Sequence, residues 1–546
     1  MSPLTELRDA VGAAAAALRP DGEAGGPAPT LERPKKAEFG DYSTNAAMLL
    51  APVLGESPRD IAGRLGDELA VRLGAGLERH EVAGPDFLNL FLSDGWHRDA
   101  LGAIAGAGDG FGAGTAAEPE RVLIEFVSAN PTGPLTAAGG RHAAYGDALA
   151  RILELAGHTV EREYYFNDAG SQIRRLGESI RARARGEDVP EGGYEGDYVA
   201  VLAGAIPDAA GGDPDTLARA GVDRLMEGIR ATLERYRVPF DSFFLERSLH
   251  EGDPSPVARA LAGLEAAGHL YEHEGAVWLR TTTFGDDKDR VLRRSSGEGT
   301  YFAADVAYHE HKRARGFDRL VDVLGADHHG YVGRMRALFG ALGADPAALE
   351  IIIMQFVHIV ERGERASMSK RRGDFVTLDE LLDEIGVDAA RFFMLQRSHD
   401  TTIDLDLDLA REQSSDNPVY YVQYAHARIA SMRVKAGQER VAAALAGAQA
   451  AEGPGEALHP AERALVRKLI DFATEAEEAA ERRAPHRIAG YALELAQEFT
   501  ALYRDCRVLG AEPEGVASWR LALSATAQRT LARSLGLLGV AAPDAM

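Results

Sequence analysis

A glycine-rich loop at 128–140 is the first stretch of the sequence whose residues could do chemistry. The segment 130–134, Asn-Pro-Thr-Gly-Pro, cannot continue a helix or a strand. The apolar run 122–127 before it predicts a buried strand, and the apolar spacing over 145–155 after it predicts a helix that ends at Gly157. In such a unit the start of the helix presents unpaired N–H groups at the carboxyl edge of a parallel sheet. The stretch therefore predicts a phosphate site, with an ordinary strand–helix turn as the alternative.

The composition is that of a folded protein with several domains. The chain has 546 residues, of which 45% are hydrophobic and 26% charged, a length that suits roughly three or four domains. No apolar run approaches the ~18 residues of a membrane span, and Glu6 and Asp9 lie where a secretory signal would be basic and then apolar. Cys506 is the only cysteine, which excludes internal disulfides and thiolate zinc sites. We therefore expect a cytoplasmic protein with no membrane segment.

The net charge of −24 argues at first against a polyanionic partner. However, the excess of acidic residues lies upstream of Val419, and the remainder of the chain is balanced. A local basic face could therefore still bind RNA, although charge gives no positive indication of one.

The order of predicted elements divides the chain into three parts and predicts an α/β protein. Residues 1–105 form a small α+β unit, followed by a Gly/Ala-rich linker at 105–117. Residues 118–409 alternate strands and helices, with an insertion at about 171–290 that interrupts the alternation. Residues 410–546 show only helical patterns and form an all-α module.

The middle part carries the predicted parallel sheet. Further strands are predicted at 159–166, 320–324 and 349–359. Thr377 and Glu380 form a capping box that starts the next helix. The carboxyl ends of these strands therefore position the candidate site.

Nine motifs, distributed along the whole chain in one order, resemble arginyl-tRNA synthetases. The motifs are GDYSTNAAML, AGPDFLNLFL, EFVSANPTGPL, YYFNDAGSQI, TYFAADVAYH, VLGADHHGY, MSKRRGDFVTLDELL, DNPVYYVQYAHARI and YRDCRVLG. The resemblance implies a class I Rossmann-like catalytic domain with an inserted connective region, an N-terminal tRNA-binding domain and a C-terminal anticodon-binding domain. It also implies arginine–tRNA ligase activity, with L-arginine, tRNA(Arg) and ATP with Mg²⁺ as partners, and we expect a monomer.

The two signatures of class I synthetases depart from the family pattern. The family's His-x-Gly-His is replaced by Thr-Ala-Ala-Gly at 136–139, so both imidazoles are missing. The family's Lys-Met-Ser-Lys reads Ser-Met-Ser-Lys at 367–370. Each lost transition-state donor reduces a rate by about 10²–10³. The departure supports an alternative, a non-catalytic synthetase-like protein that binds tRNA or senses arginine; an adenylating enzyme of a small-molecule pathway is a third hypothesis.

By resemblance, an arginine pocket is predicted from residues of the strand, the loops and a later helix. Its members are Glu125, Asn130, Gln172, Tyr301 and Asp305, with Asp168 as a further candidate. Carboxylates suit the planar guanidinium fork, and neutral acceptors suit its remaining N–H groups. Glu125 and Asp305 are acids within otherwise apolar patterns. The alternative is that they are structural acids that pair with a core arginine, or exposed ones.

By the same resemblance, catalysis is assigned to groups that could meet the developing charge of the phosphates. The catalytic candidates are Lys370, Ser369, Thr136 and His142, and the ATP-binding candidates are Gly139, Gly140, Asp327, His328, Gly330 and Met368. Because His142 is the only imidazole near the altered signature, we predict that it and Thr136 take over part of the lost role. For Lys370 the alternative is a solvated charge run. No metal site is predicted.

An aromatic and basic stretch in the all-α module predicts contacts with RNA. Tyr420, Tyr424 and Arg428 recur at helical spacing and could stack on unpaired anticodon bases. The alternative is that these aromatic side chains belong to the core. In the N-terminal unit the only basic cluster is Arg33, Lys35 and Lys36.

Overall fold

The computed structural model describes residues 2–20, 27–34, 36–84, 87–365, 376–451 and 453–546. Three of the predicted site residues, Met368, Ser369 and Lys370, lie outside the described residues, as does Lys35.

The N-terminal unit is an antiparallel sheet covered by helices. Its elements are α1 (Pro3–Ala17), β1 (Leu31–Glu32), β2 (Tyr42–Thr44), α2 (Ala46–Leu54), α3 (Pro58–Leu73), β3 (Leu77–Ala83), β4 (Phe87–Leu92) and α4 (Asp94–Ala107). The sheet order is β1-β2-β4-β3. Ser57 caps α3 through its side chain, and Pro58 occupies the first helical position. Helix α4 was not predicted, and the expected domain boundary at residue 105 falls inside it.

The central part is built on a parallel sheet. Its first elements are β5 (Arg121–Glu125), α5 (Ala137–Ala156), β6 (Thr159–Phe166), α6 (Ser171–Arg185), α7 (Asp197–Ala205), α8 (Pro214–Arg235) and β7 (Ser242–Leu245). They are followed by α9 (Pro256–Ala266), β8 (Leu270–His273), β9 (Ala276–Leu279), β10 (Arg290–Arg293), α10 (Tyr301–Ala314), β11 (Arg319–Gly325), α11 (Val332–Ala341) and β12 (Leu349–Met354). The strand order is β12-β11-β5-β6-β7, all parallel. Chain order reverses between β5 and β11, and such a switch point is where ligands of parallel sheets bind.

The predicted insertion at 171–290 was too long. Strand β7 lies within it but pairs with β6, from Glu163 with Ser242 to Phe166 with Leu245, and so completes the main sheet. The strands β10, β9 and β8 form an antiparallel sheet of their own. The prediction failed because β7 has four half-buried residues, too few to show a strand pattern.

The strand predicted at 349–359 is two strands in different sheets. After β12 the chain turns at Gln355, whose N–H donates to the carbonyl of His399. The remaining elements are β13 (Val357–Glu361), β14 (Glu364–Arg365), α12 (Leu378–Leu395), β15 (Ile403–Asp406) and α13 (Leu407–Arg411). The order of this second sheet is β14-β13-β15.

The C-terminal part is all-α, as predicted. Its helices are α14 (Pro418–Ala436), α15 (Gln438–Gln449), α16 (Pro460–Glu481), α17 (His486–Asp505) and α18 (Glu514–Leu537). Asn417 caps α14, and Gly437, at φ 85°, separates it from α15. None of the helices built from described residues is long and apolar enough to cross a bilayer.

Buried Arg391 fastens the C-terminal helices to the central part. Its guanidinium donates to the carbonyl oxygens of Leu538 and Tyr236 at 2.7 and 3.0 Å and to the carboxylate of Asp147. The contacts come from α18's end, α8's end and α5, so one side chain fixes three elements of two domains.

Candidate active site

Three segments meet at the switch point: the loop after β5, the first turn of α5 and a 3₁₀ turn, Ala326–Tyr331, after β11. The ring of His142 lies against the end of β11. A Cβ built on Gly325 would be 3.9 Å from His142 Cε1, and it would be 2.6 Å from Asp327 Oδ1. Burial, reinforced by the charge of Arg141, lowers the pKa of His142 to about 4. The structure thus brings predicted residues His142 and Asp327 together, with His142 neutral at pH 7.

Thr136 is the N-cap of α5, and it accepts hydrogen bonds from the amides of Gly139 and Gly140. Its Oγ1 accepts from the N–H of Gly139 at 3.2 Å, and its carbonyl accepts from the N–H of Gly140 at 3.2 Å. Both amides therefore already have an acceptor within the chain, and the ATP-binding role of Gly139 and Gly140 stays a prediction. Gly140 is needed for packing, since a Cβ there would lie 2.7 Å from Leu378 Cδ1. Arg141 is buried and donates to core carbonyls.

Main-chain hydrogen bonds join this turn to the residues that follow 366–375. The Ala137 N–H donates to the carbonyl of Val376 at 2.9 Å, and the Leu378 N–H donates to the carbonyl of Leu135 at 2.8 Å. Thr377 then starts α12 with the predicted capping box, in which Glu380 accepts from the Thr377 N–H at 2.7 Å. Residues 376–378, which follow the segment containing Lys370, therefore lie beside Thr136.

The predicted arginine-binding residue Asp305 is a half-buried acid of α10 that lies near two other acids. Tyr331 donates its hydroxyl to Asp305 Oδ2 at 3.3 Å, and no lysine or arginine among the described residues forms an ion pair with this carboxylate. Burial raises its pKa to about 6, and the nearby Glu246 and Glu125 add to the increase. A desolvated carboxylate beside two further acids is an arrangement that favours a cationic ligand.

Glu125, in contrast, already has a cation. Lys312 donates to its Oε2 at 2.5 Å, and Ser128 donates to its Oε1 at 2.8 Å. Lys312 also donates to Asp322 Oδ1 at 2.7 Å. The alternative given for Glu125, a structural acid paired with a core cation, thus describes one part of its role. Sequence reasoning missed Lys312, although it lies seven residues after Asp305 on the same helix face.

Two other predicted residues, Asn130 and Gln172, contact each other, and Tyr301 lines a cleft. Asn130 donates through Nδ2 to Gln172 Oε1 at 3.0 Å. Tyr301 is 56% exposed at the start of α10, and its hydroxyl would be 3.7 Å from a Cβ on Gly170. A cleft with a volume of about 750 Å³ opens here, lined by Tyr301, Gly170 and Glu246 among others.

Asp168, a candidate for the arginine site, has a structural contact, whereas Glu246, which was not a candidate, lines the cleft. Asp168 accepts from the N–H of Arg247 at 2.9 Å and pairs with its guanidinium at 3.2 Å, so it holds the turn after β7 and is a structural acid. Glu246 was missed. It is buried, its pKa is raised by burial, and it lies beside the Tyr165 hydroxyl in the cleft. Glu246 was missed because it directly follows strand β7, which the sequence pattern did not predict.

The remaining nucleotide-binding candidates are exposed on the turn after β11. Asp327, His328 and Gly330 are accessible to solvent, and a Cβ on Gly330 would meet no atom within 4 Å. His328 packs edge-to-face against Tyr331, with ring centroids 5.6 Å apart. The turn therefore offers polar groups and open space next to His142. Among the described residues no three His, Cys, Asp or Glu side chains are grouped to hold a metal ion.

The predicted RNA-contacting residues form one surface on α14 and α17. The rings of Tyr420 and Tyr424 are parallel with centroids 6.0 Å apart, and Tyr424 is 41% exposed, which contradicts a core position for it. The guanidinium of Arg428 lies 4.6 Å from the ring centre of Tyr424 and 4.8 Å from that of Tyr503. Beside them is a cavity of about 720 Å³ that reaches Met546.

Arg33 does not belong to a free basic cluster. Its guanidinium pairs with Asp471 of α16 at 2.8 Å, across the junction of the N-terminal and C-terminal parts. The N-terminal basic cluster predicted for RNA therefore loses this member.

Comparison with family models agrees with this architecture. Residues 5–92 match the arginyl-tRNA synthetase N-terminal domain, residues 210–431 the class I (R) tRNA synthetase catalytic domain, and residues 422–546 the DALR anticodon-binding domain. Together with the sheet order and the pocket at its switch point, these matches make the chain a class I aminoacyl-tRNA synthetase.

Comparison with individual relatives shows which family of class I synthetases the chain resembles. The chain is 46% identical over 570 residues to the arginine–tRNA ligase of Frankia alni, with 100% of both chains covered, and 44% identical to that of Shouchella clausii, with 95% of each covered. The solved structure of Thermus thermophilus arginyl-tRNA synthetase is similar with a TM-score of 0.76 and 26% identity, and the match covers 99% of this chain and 100% of that one. The chain belongs to the arginyl-tRNA synthetase family.

Proposed function

We propose that this protein joins L-arginine to tRNA(Arg) through an arginyl-adenylate, as a cytoplasmic monomer that takes ATP as its Mg²⁺ complex. The observation that carries the proposal is Asp305, a desolvated carboxylate without a basic partner among the described residues, at the carboxyl edge of the sheet. A guanidinium supplies the missing charge and, unlike an ammonium, can meet a carboxylate with two parallel N–H groups.

The other pocket residues complete the recognition of arginine. Glu246 and Glu125 add negative charge around Asp305, and the paired amides of Asn130 and Gln172 offer further polar groups at the rim. A neutral amino acid of the same size would leave these buried acceptors unpaired, which can reduce its use by roughly 10⁴-fold.

The phosphates of ATP are assigned to the start of α5. The Thr136 oxygen accepts the cap hydrogen bond, so its own hydroxyl hydrogen remains free to donate. His142 is uncharged and can donate from one ring nitrogen. Lys370 and Ser369 remain predictions for the positive charge and the further donor. Residues Val376 and Leu378, which follow that segment in the chain, are hydrogen-bonded to Ala137 and Leu135 at the start of α5.

For the transfer step, the surface of Tyr420, Tyr424 and Arg428 is assigned to anticodon bases. The parallel rings of Tyr420 and Tyr424, and the guanidinium of Arg428 next to the exposed ring of Tyr424, suit unpaired bases, each of which contributes about 1–3 kcal/mol when it stacks.

Arginine-dependent exchange between pyrophosphate and ATP, measured with and without tRNA(Arg), tests the proposal. We expect exchange by the wild type. We expect Asp305→Asn to raise the KM for arginine by about 10²–10³, because the charge of the principal carboxylate is lost. Glu310→Gln removes a carboxylate from the solvent side of the same helix, where it pairs with Arg313, and should leave that KM within about twofold.

The pH dependence of arginine binding follows from the same carboxylate. Its folded pKa of about 6 lies above the ordinary 3.8, so protons compete with arginine at higher pH than for a free aspartate. The KM for arginine should be flat above pH 7 and rise by about tenfold per unit below pH 6, whereas Asp305→Asn should lack this rise. A wild-type KM that is constant down to pH 5 would contradict the assignment.

The altered first signature favours a second candidate, a non-catalytic protein that binds arginine or tRNA. It predicts that arginine raises the melting temperature while no exchange occurs with or without tRNA. That pair of results would replace the ligase proposal.

A further inference from the structure

We infer that Lys312 is a positioning residue that fixes the charge of the arginine pocket and thereby its preference for a guanidinium over a neutral isostere. The inference rests on the proposed function in one respect, namely that the pocket around Asp305 binds arginine.

Lys312 lies in the last turn of α10 and is completely buried. Its ammonium donates to Glu125 of β5 at 2.5 Å and to Asp322 of β11 at 2.7 Å. Its ammonium therefore joins side chains of the two strands, β5 and β11, that flank the switch point. A lysine is rarely fully buried unless it is paired in this way.

The groups around the ammonium come from each element packed against it. They are Glu125 on β5, Asp322 on β11, Glu163 on β6, and Tyr308, His309 and Arg315 at the end of α10. Of these, Asp322 also accepts from His309 Nε2 at 3.0 Å, and Glu163 accepts from Tyr308 at 2.7 Å and pairs with Arg315 at 2.5 Å. Asp322 and Glu163 thus have partners of their own, whereas the described cationic partner of Glu125 is Lys312.

The position of Glu125 explains why its charge matters to the ligand. Its carboxylate and that of Glu246 both act on Asp305. Acids that share a desolvated site do not all ionise, because each charge favours a proton on its neighbours. The ammonium bonded to Oε2 supplies a positive charge at Glu125 that offsets its repulsion by the neighbouring acids, and the Ser128 hydroxyl on Oε1 stops the carboxylate from rotating. Lys312 therefore lets two acids face one guanidinium.

The test uses the full-length protein and the variant Lys312→Met, which keeps the side-chain length and removes the charge. We measure the KM for arginine and for ATP in pyrophosphate exchange, and the inhibition constant of L-citrulline, whose ureido group is a neutral isostere of the guanidinium. We expect the arginine KM to rise by about 10–100-fold, the ATP KM to stay the same, and the preference for arginine over citrulline to fall by a similar factor.

Arg313→Met is the matched control, because it removes the adjacent cation, which faces solvent and pairs with Glu310. It should leave all three constants unchanged. If Lys312→Met weakened arginine and ATP alike, or left the arginine-to-citrulline preference intact, Lys312 would have only a structural role and the inference would be overturned.

A double-mutant cycle keeps the test decisive if Lys312→Met fails to fold. Glu125→Gln with Lys312→Met removes both charges of the pair, which stabilises the protein relative to the single lysine variant. Since Lys312 acts through Glu125, the double variant should bind arginine as weakly as Glu125→Gln alone, with no added loss. An additional tenfold loss would overturn the inference. Failure of the proposed function is distinguishable, because it would show as absent wild-type exchange or an unaffected Asp305→Asn.

Discussion

At the scale of single residues, the altered signature leaves a hydroxyl and an uncharged imidazole at the switch point rather than an imidazolium. His142 was predicted to replace a lost histidine, and the structure does place it at the switch point. Its pKa of about 4, caused by burial, means that it carries no charge at neutral pH. Its contribution must therefore be a hydrogen bond, and the positive charge must come from elsewhere, for which Lys370 remains the prediction.

This difference gives a prediction for His142. His142→Ala should slow arginine activation by about 10²-fold, as expected for one lost donor, while His142→Gln, a neutral donor, should recover most of the loss. Because the charged form exists only below about pH 4, the wild-type rate should show no titration of this residue between pH 6 and 8. A rate that falls through that range, and no longer does so in His142→Ala, would show a cationic role instead.

At the scale of elements, α5 lies so close to the loop after β5 that glycine is required in the helix. A Cβ on Gly146 would lie 2.2 Å from the ring of Phe126, which is itself buried and stacks on Phe240 at 4.4 Å. The close approach sets the height of the α5 N-terminus above the sheet, and with it the positions of Thr136 and His142.

Two glycine substitutions should therefore have opposite effects. Gly146→Ala should lower the free energy of unfolding by about 1–3 kcal/mol, because the core is overpacked. Gly490→Ala, in α17, meets no atom within 4 Å and should raise it by about 0.5–1 kcal/mol, because alanine is the better helix former. Urea denaturation followed by far-UV circular dichroism measures both. Equal effects of the two variants would argue against close packing at α5.

The elements that the sequence predicted well are those whose pattern is local. Strand β6 matches its predicted limits because β-branched and aromatic residues lie at its two ends, and the capping box at Thr377 needs only two intervening residues. Strand β7 and the break at Gln355 escaped prediction because short strands carry little pattern. The pairing of Lys312 with Glu125 joins residues 187 positions apart, which no local periodicity could reveal; the pocket was therefore predicted without the cation beneath it.

At the scale of the whole molecule, the central sheet is tied to the C-terminal helices through a shared carboxylate. Glu350 accepts from Arg483, in the turn between α16 and α17, at 2.8 and 2.9 Å, and pairs with Arg319 of β11 at 3.0 Å. The Tyr145 hydroxyl of α5 donates to the Arg483 carbonyl at 2.5 Å. The junction therefore sets the angle between the two surfaces assigned to arginine and to the anticodon.

We expect Glu350→Gln to raise the KM for tRNA(Arg) in aminoacylation by about three- to tenfold, the effect of weakening one partly buried ion pair. The KM for arginine in pyrophosphate exchange should not change, because the junction lies at the opposite edge of the sheet from the pocket. Glu481→Gln, an exposed carboxylate on the same cavity, is the control and should change neither. A change in the arginine KM alone would contradict this view of the junction.

The two backbone bonds that link Leu135 and Ala137 to Leu378 and Val376 use groups that every amino acid except proline provides. The main-chain link between the start of α5 and the start of α12 is consequently independent of the side chains that project from it. A family member can therefore carry other side chains at these positions, as here with threonine at 136 and alanine at 137, and keep the same backbone arrangement.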